Sequence, residues 1–290
     1  MEVSERRVLV CGAGLMGHGI AQVMAAAGHR VLLYEPELAR AEAGRARIGG
    51  NLERQVAKGK LEQQVADEVL ARVTATSELE ASAAQATLVV EAVFEDLDVK
   101  GELFGAVDAS AAPDAVLASN TSSISISRLA AFTTPERRSR FVGMHFFSPV
   151  PVMPLIELIR GAETDDATEA LVRQLAVELG KEVIVSRDRS GFIVNRILMP
   201  YLAEAMRAFE EGLGTAEDID TGARLGLNHP MGPLALADFI GLDVCLHIME
   251  VLHEGFGQPH MAPPPVLRQL VEAGHLGQKT GRGFYDYPPS

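Results

Sequence analysis

Two groups of residues in this chain have types and spacings that could do chemistry. The first is Gly12-Ala13-Gly14-Leu15-Met16-Gly17, which follows an apolar run at 8–10 and opens a helical pattern reaching about Gly28. Glycines at these three positions turn a strand sharply into a helix. The first permits the tight turn, the second lets a pyrophosphate approach the backbone, and the third lets helix and strand pack closely. Leu15 and Met16 then fall in the first helical turn, where free amides and the positive dipole end face a phosphate. A second apolar run at 30–34 ends in Glu35, 23 residues after Gly12. A ribose-binding carboxylate belongs at about that distance. NAD is therefore the expected cofactor. Glu35 would repel a 2′-phosphate, and no Arg stands in the four positions after it to offset that.

The second group is built on His145, near the end of the apolar run 141–147. A dehydrogenase needs a group to take the hydroxyl proton as hydride leaves, and ligands of open α/β sheets bind beyond the carboxyl ends of their strands. A proline-rich connection at 148–154 leads into the run 155–159, whose one charge is Glu157. If the two strands are antiparallel neighbours, Glu157 returns opposite His145. A buried carboxylate there fixes the imidazole tautomer and stabilises its protonated form.

These residues need a scaffold. Strand patterns fall at 7–11, 30–34, 72–76, 87–93, 115–119, 141–147, 155–159 and 182–186, with helical patterns between most of them. The run 88–93 is apolar on both faces apart from Glu91, as a strand covered on both sides should be. The alternation predicts an α/β fold: a doubly wound, mostly parallel Rossmann-type sheet over residues 1–186. A charged stretch at about 48–79 breaks the rhythm and reads as an inserted helical hairpin. After the polar linker 187–191 the texture becomes helical, so 187–290 reads as an all-helical domain. Its first helix, 192–209, is apolar nearly all round and contains Pro200. Thr215 with Asp218 resembles a capping box, and Pro233 after Gly232 suits a helix first turn.

Bulk properties narrow the partners. The 290 residues carry a formal charge of −13, which argues against nucleic-acid binding through a basic surface. Charges interrupt every apolar run before membrane-span length, and the opening residues show no apolar leader. These features predict a cytoplasmic protein without a membrane partner. Cys11 and Cys245 lie in apolar segments without metal or redox spacing, so buried thiols are expected and no metal site is.

Five motifs in chain order resemble the L-3-hydroxyacyl-CoA dehydrogenase family, nearest its short bacterial members. They are the glycine loop at 12–17, Ser119-Asn-Thr-Ser-Ser123, His145-Phe-Phe-Ser-Pro-Val-Pro151, Gly191-Phe-Ile-Val-Asn-Arg196, and Lys279-Thr-Gly-Arg-Gly-Phe-Tyr285. The resemblance implies a catalytic dyad at His145 and Glu157, with Ser122 and Asn195 on the substrate oxygens. It also implies cofactor contacts at Glu95, Lys100, Asn120, Ser122, Ser148 and Lys279. Taken alone, Glu95, Lys100 and Lys279 would read as solvated surface charges. Ser148 stands where the family commonly has Asn, and its shorter hydroxyl reaches less far. Relatives bind CoA phosphates through the hairpin, which places acyl-CoA contacts at Asn51, Lys58 and Lys60. The family closes its cleft with the helical domain and dimerises through it, so a homodimer is expected. The alternatives are a dehydrogenase of a CoA-free 3-hydroxy acid or sugar acid, and a catalytically silent nucleotide sensor.

Overall fold

The computed structural model describes residues 5–288. The chain divides into two compact units, 1–188 and 189–290. In the first unit the elements run β1 (Arg7–Cys11), α1 (Leu15–Ala26), β2 (Arg30–Tyr34), α2 (Leu38–Ala57), α3 (Gln63–Ala71), β3 (Val73–Thr76), α4 (Leu79–Ala83), β4 (Leu88–Glu91) and α5 (Leu97–Ser110). They continue with β5 (Val116–Ser119), α6 (Ile126–Ala130), β6 (Phe141–Phe146), β7 (Leu155–Arg160), α7 (Asp166–Glu178) and β8 (Glu182–Arg187). All eight expected strands form, β1 and β2 with the expected bounds and the other six with ends moved by one or two residues.

The strands make one sheet in the order β3-β2-β1-β4-β5-β6-β7-β8. Pairing is parallel from β3 through β6. It turns antiparallel between β6 and β7, and β8 runs parallel to β7. Strand order reverses between β1 and β4, so the crevice beyond their carboxyl ends is the ligand position of a doubly wound sheet. Residues facing α1, α2 and α7 from the sheet, among them Val8, Val10, Leu33, Val90, Met144 and Leu158, form a continuous buried core with those helices.

The hairpin departs from its expected bounds. It starts at Leu38, ten residues earlier than 48, and its second helix ends at Ala71. The region 72–79 belongs to β3 and the start of α4. The first helix buries only Ala41, Gly44, Ile48 and Leu52. That narrow stripe among charges hides its true beginning from a reading by hydrophobic run.

The second unit is helical: α8 (Val194–Glu210), α9 (Ala216–Thr221), α10 (Pro233–Ile240), α11 (Leu242–Phe256) and α12 (Pro265–Glu272). Its core gathers Met199, Leu202, Met206, Leu234, Cys245 and Leu252. α8 starts two residues later than expected because Gly191 and Phe192 both take left-handed backbone conformations. It is not buried all round: it buries Met199, Leu202 and Met206 on one face, while Ile197, itself apolar, stays exposed on another. Thr215 and Asp218 complete a reciprocal capping box at the start of α9, and Pro233 opens α10. Among the described residues no helix is long and apolar enough to cross a membrane, and no group of side chains could hold a metal ion.

Candidate active site

The glycine loop shows why each glycine is there. Gly12 has φ +100°, and a Cβ on it would meet the Ala92 carbonyl oxygen at 2.5 Å. A Cβ on Gly17 would strike the Gly12 carbonyl oxygen at 1.7 Å, so only glycine lets α1 sit this close to β1. At Gly14, by contrast, nothing lies within 4 Å of the added atom. That open space adjoins the start of α1, which has neither a capping side chain nor an acidic residue in its first turn. The first turn thus offers free amides and an uncompensated dipole end, and these residues fit a dinucleotide pyrophosphate. Glu35 lies beside the loop: its Oε1 accepts the Ala13 amide at 2.6 Å. Its other oxygen has no hydrogen-bond partner among the described residues, so it can still meet a ribose.

His145 and Glu157 stand directly opposite each other across β6 and β7. Both are buried, and His145 Nδ1 lies 3.1 Å from Glu157 Oε2. Nε2 of the same ring is 3.0 Å from Ser122 Oγ. With Glu157 Oε2 accepting from Nδ1–H, the Nε2 lone pair is left facing Ser122 Oγ. The antiparallel turn after β6 creates this geometry. It brings the one acid of β7 back to the one imidazole of β6.

Ser122 is held by residues whose role is not apparent in the sequence. Glu95 Oε1 accepts from Thr121 Oγ1 at 2.6 Å, from the Ser122 amide at 3.0 Å, and from Ser123 N and Oγ at 3.2 and 2.9 Å. Lys100 Nζ lies 3.1 Å from Glu95 and 2.5 Å from Glu91. Glu91 in turn accepts from Ser119 Oγ at 2.6 Å. Lys100 is only 1% exposed and therefore is not the solvated surface charge that the bare sequence suggests. Burial raises the Glu91 carboxyl above its usual range, with Lys100 opposing the shift. Burial also pushes Glu95 upward, but Lys100 and the hydroxyls of Thr121 and Ser123 outweigh it and hold Glu95 below the usual range. Glu91 was visible in the sequence as the one charge in an apolar strand. The helix turn that brings Lys100 to it was not.

The remaining expected residues are dispersed. Asn120 is buried and its Oδ1 accepts the Phe146 amide at 2.8 Å, tying β5 to the end of β6. Ser148 is exposed on the loop after β6. Asn195 is buried in the first turn of α8, in the second unit. Lys279 lies in the same unit and is half-exposed, as expected of a surface charge, with Nζ paired to Asp243 at 2.6 and 2.7 Å. Both cysteines are buried and free. Burial raises both thiols, Cys245 to about 12, so neither is a nucleophile near neutral pH.

A cavity of about 410 Å³ opens beside α1 and α2. Asn51, Arg54, Lys58 and Lys60 line it together with Gln22 and the loop 149–152. Asn51 Nδ2 donates to Gln22 at 3.2 Å, and Arg54 donates to Asn51. Arg54 thus joins the expected basic residues; its spacing of three from Asn51 and four from Lys58 marks one helical face.

A doubly wound sheet with this loop, and with a Ser–His–Glu hydrogen-bond chain at the carboxyl end of β6, defines a nicotinamide-dependent dehydrogenase scaffold. Residues 7–189 match the 3-hydroxyacyl-CoA dehydrogenase NAD binding domain, and residues 191–287 match the C-terminal domain of the same family. The chain belongs to the 3-hydroxyacyl-CoA dehydrogenase family. It is 50% identical over 282 residues to a 3-hydroxybutyryl-CoA dehydrogenase of Bradyrhizobium diazoefficiens, covering 97% of this chain and 95% of that one. Its structure resembles FadB2 of M. tuberculosis with a TM-score of 0.95 at 49% identity, over 99% of this chain and 100% of that one. It also resembles the (S)-3-hydroxybutyryl-CoA dehydrogenase PaaH1 of Ralstonia eutropha with a TM-score of 0.94 at 45% identity, over 99% and 100% of the two chains.

Proposed function

We propose that this chain interconverts a short-chain L-3-hydroxyacyl-CoA and its 3-oxoacyl-CoA with NAD, using His145 and Glu157 as a catalytic dyad. The observation that carries this reading is the chain Ser122 Oγ, His145 Nε2, His145 Nδ1, Glu157 Oε2, with separations of 3.0 and 3.1 Å. His145 Nε2 takes the 3-hydroxyl proton. The buried Glu157 carboxyl, accepting from Nδ1, stabilises the imidazolium that results. Ser122 Oγ, beside the same nitrogen, directs the reacting oxygen to it, and Asn195 is the second group assigned to that oxygen. When bound at the glycine loop, NAD supplies the hydride acceptor. Leu15 and Met16 at the start of α1 line the pyrophosphate site, and Glu35 takes the adenine-side ribose. Glu95 and Lys100 support the cofactor side of the site chiefly by fixing the 121–123 loop. Asn120, Ser148 and Lys279 remain assigned as cofactor contacts. Asn51, Lys58, Lys60 and Arg54 hold the CoA phosphates.

Support for CoA recognition comes from charge. The chain carries −13 overall, yet three cations share one cavity wall. A homodimer formed through the second unit accounts for its exposed apolar residues, including Leu213, Leu225, Leu227 and Phe239. The compartment we infer is the cytoplasm. The reading is tested by NADH oxidation with acetoacetyl-CoA compared with free acetoacetate. Turnover of the thioester alone is expected. Faster turnover of the free acid would move the chain to CoA-free substrates.

A further inference from the structure

The loop 149–153 lies between the strand carrying His145 and the strand carrying Glu157, and its residues 149–152 form one wall of the basic cavity. It contains Pro149 and Pro151, with Pro154 following, so it has few backbone donors of its own. Its internal bonds are two, from the amides of Val152 and Met153 to the Pro149 carbonyl at 2.9 and 3.0 Å. Two further carbonyls point to one side chain. Lys181 Nζ donates to Val150 O at 2.8 Å and to Met153 O at 2.6 Å.

Lys181 is anchored at its root. α7 ends in a paired motif in which the Gly180 amide bonds Val177 O at 3.0 Å and the Lys181 amide bonds Ala176 O at 2.8 Å. Gly180 takes the left-handed conformation this motif requires. The next residue, Glu182, continues the anchoring through its amide, 2.7 Å from Pro154 O. Among the described residues no carboxylate pairs with Lys181. Its charge is therefore spent on the two loop carbonyls, and burial alone lowers its basicity. A part-buried ammonium with no counter-ion is held there at a cost, and a purely structural tie between a loop and a strand start does not need one.

The loop is also placed with little tolerance. A Cβ on Gly19 of α1 would meet Val150 Cβ at 2.9 Å, so Val150 is seated directly on the helix that begins at the glycine loop. Val152, two residues on, is 73% exposed and forms part of the cavity rim. One ammonium thus fixes both ends of a segment whose inner residue packs on α1 and whose outer residue faces the cavity.

We propose that Lys181 is a positioning residue for substrate binding: it holds the 149–153 loop in the shape that completes the basic cavity, and so sets affinity for the CoA portion of the substrate. This rests on the reading of that cavity as the CoA site. Lys181 does not enter the chemistry, because its ammonium is engaged with carbonyls of the loop.

The test is Lys181→Met, which keeps the aliphatic stem and removes the donor. KM for acetoacetyl-CoA should rise about 5–20-fold, while kcat and KM for NADH stay within about twofold, the pattern of lost uniform binding. KM for an acetoacetyl thioester of N-acetylcysteamine, which lacks the nucleotide phosphates, should not change. Lys181→Arg should restore most of the lost affinity. Amide exchange at Val152 and Met153 should quicken at least about tenfold in Lys181→Met, because closure of the loop then depends on two weak internal bonds. An unchanged KM for acetoacetyl-CoA, or equal rises for both thioesters and NADH, would overturn the proposal. If Lys181→Met does not fold, the wild-type protein decides: added CoA should slow exchange at Val152 and Met153, and no slowing overturns it. Failure of the cavity reading is separable. In that case Lys58→Ala/Lys60→Ala keeps the wild-type KM, whereas a raised KM in that variant beside an unchanged one in Lys181→Met rejects Lys181 alone.

Discussion

At the scale of single residues, the site depends on what each side chain is denied. Glu157 has no exposure to water, and His145 almost none. A carboxylate held in that setting is an acceptor for Nδ1 and a counter-charge for the imidazolium, and little else. His145→Gln should therefore fold and bind NAD but lose about 10²–10⁴ in kcat, the usual range for a positioned general base. Glu157→Gln should also lose turnover, since an amide offers no charge to the imidazolium, and it can present either a donor or an acceptor to Nδ1. Steady-state rates with acetoacetyl-CoA and NADH check both, and wild-type turnover in either variant would remove that residue from the mechanism. Glu35 supports a separate expectation. One oxygen is bonded to the Ala13 amide, so the carboxylate is fixed at the loop and cannot swing away from a 2′-phosphate. The kcat/KM for NADH should exceed that for NADPH, and comparable values would show that Glu35 does not read the ribose. Glu35→Ala should narrow the preference by relieving that repulsion.

At the scale of elements, much of the frame is legible in the sequence because period and punctuation are local signals. The β6 and β7 runs, the proline-rich connection and one charge in each context were enough to expect the His145–Glu157 register. Thr215 with Asp218, and Pro233, marked helix starts through backbone rules that need no tertiary contact. The failures share a cause. The start of α2 at Leu38 was hidden because only four of its twenty residues are buried. The burial of Lys100 and the bonds of Lys181 depend on which strands and helices become neighbours, and no period reports that. The hairpin illustrates both outcomes: Lys58 and Lys60 were visible as a basic cluster, whereas the cavity they line with the 149–152 loop was not. Since Arg54, Lys58 and Lys60 are all exposed, their contacts with CoA phosphates should be screened by salt. Lys58→Ala/Lys60→Ala should raise KM for acetoacetyl-CoA with kcat nearly intact and KM for NADH unaffected. The rise should be largest at low ionic strength. A wild-type KM under those conditions would leave the hairpin a solvated excursion of the sheet.

At the scale of the whole molecule, the end of the sheet away from the glycine loop carries a buried histidine that makes stability depend on pH. His29, immediately before β2, is fully buried. Its Nδ1 lies 3.5 Å from the Arg6 amide, and its Nε2 lies 3.4 Å from Glu178 at the end of α7. Glu178 is already paired with Arg6 at 2.5 Å. Burial is the largest influence on the imidazole and Arg6 adds to it; both lower its pKa below the usual 6.5, and the pull of Glu178 and Glu5 in the other direction is smaller. The unfolded chain therefore binds this proton more readily than the folded one. Stability from this group is complete above about pH 6.5, the unfolded value, and is lost as pH falls from there toward the lower folded value. Within that window the slope is at most about 1.4 kcal/mol per pH unit. The chain has no Trp, so unfolding is best followed by circular dichroism in urea at pH 7.5 and 5.5. His29→Asn should cost stability at pH 7.5 through lost packing but show a smaller fall between the two pH values than the wild type. Other groups titrating in that interval contribute equally to both proteins and cancel in the comparison. Equal falls in the two proteins would mean that the Arg6–Glu178 pair accommodates the imidazolium, and that burial is not the dominant influence on His29.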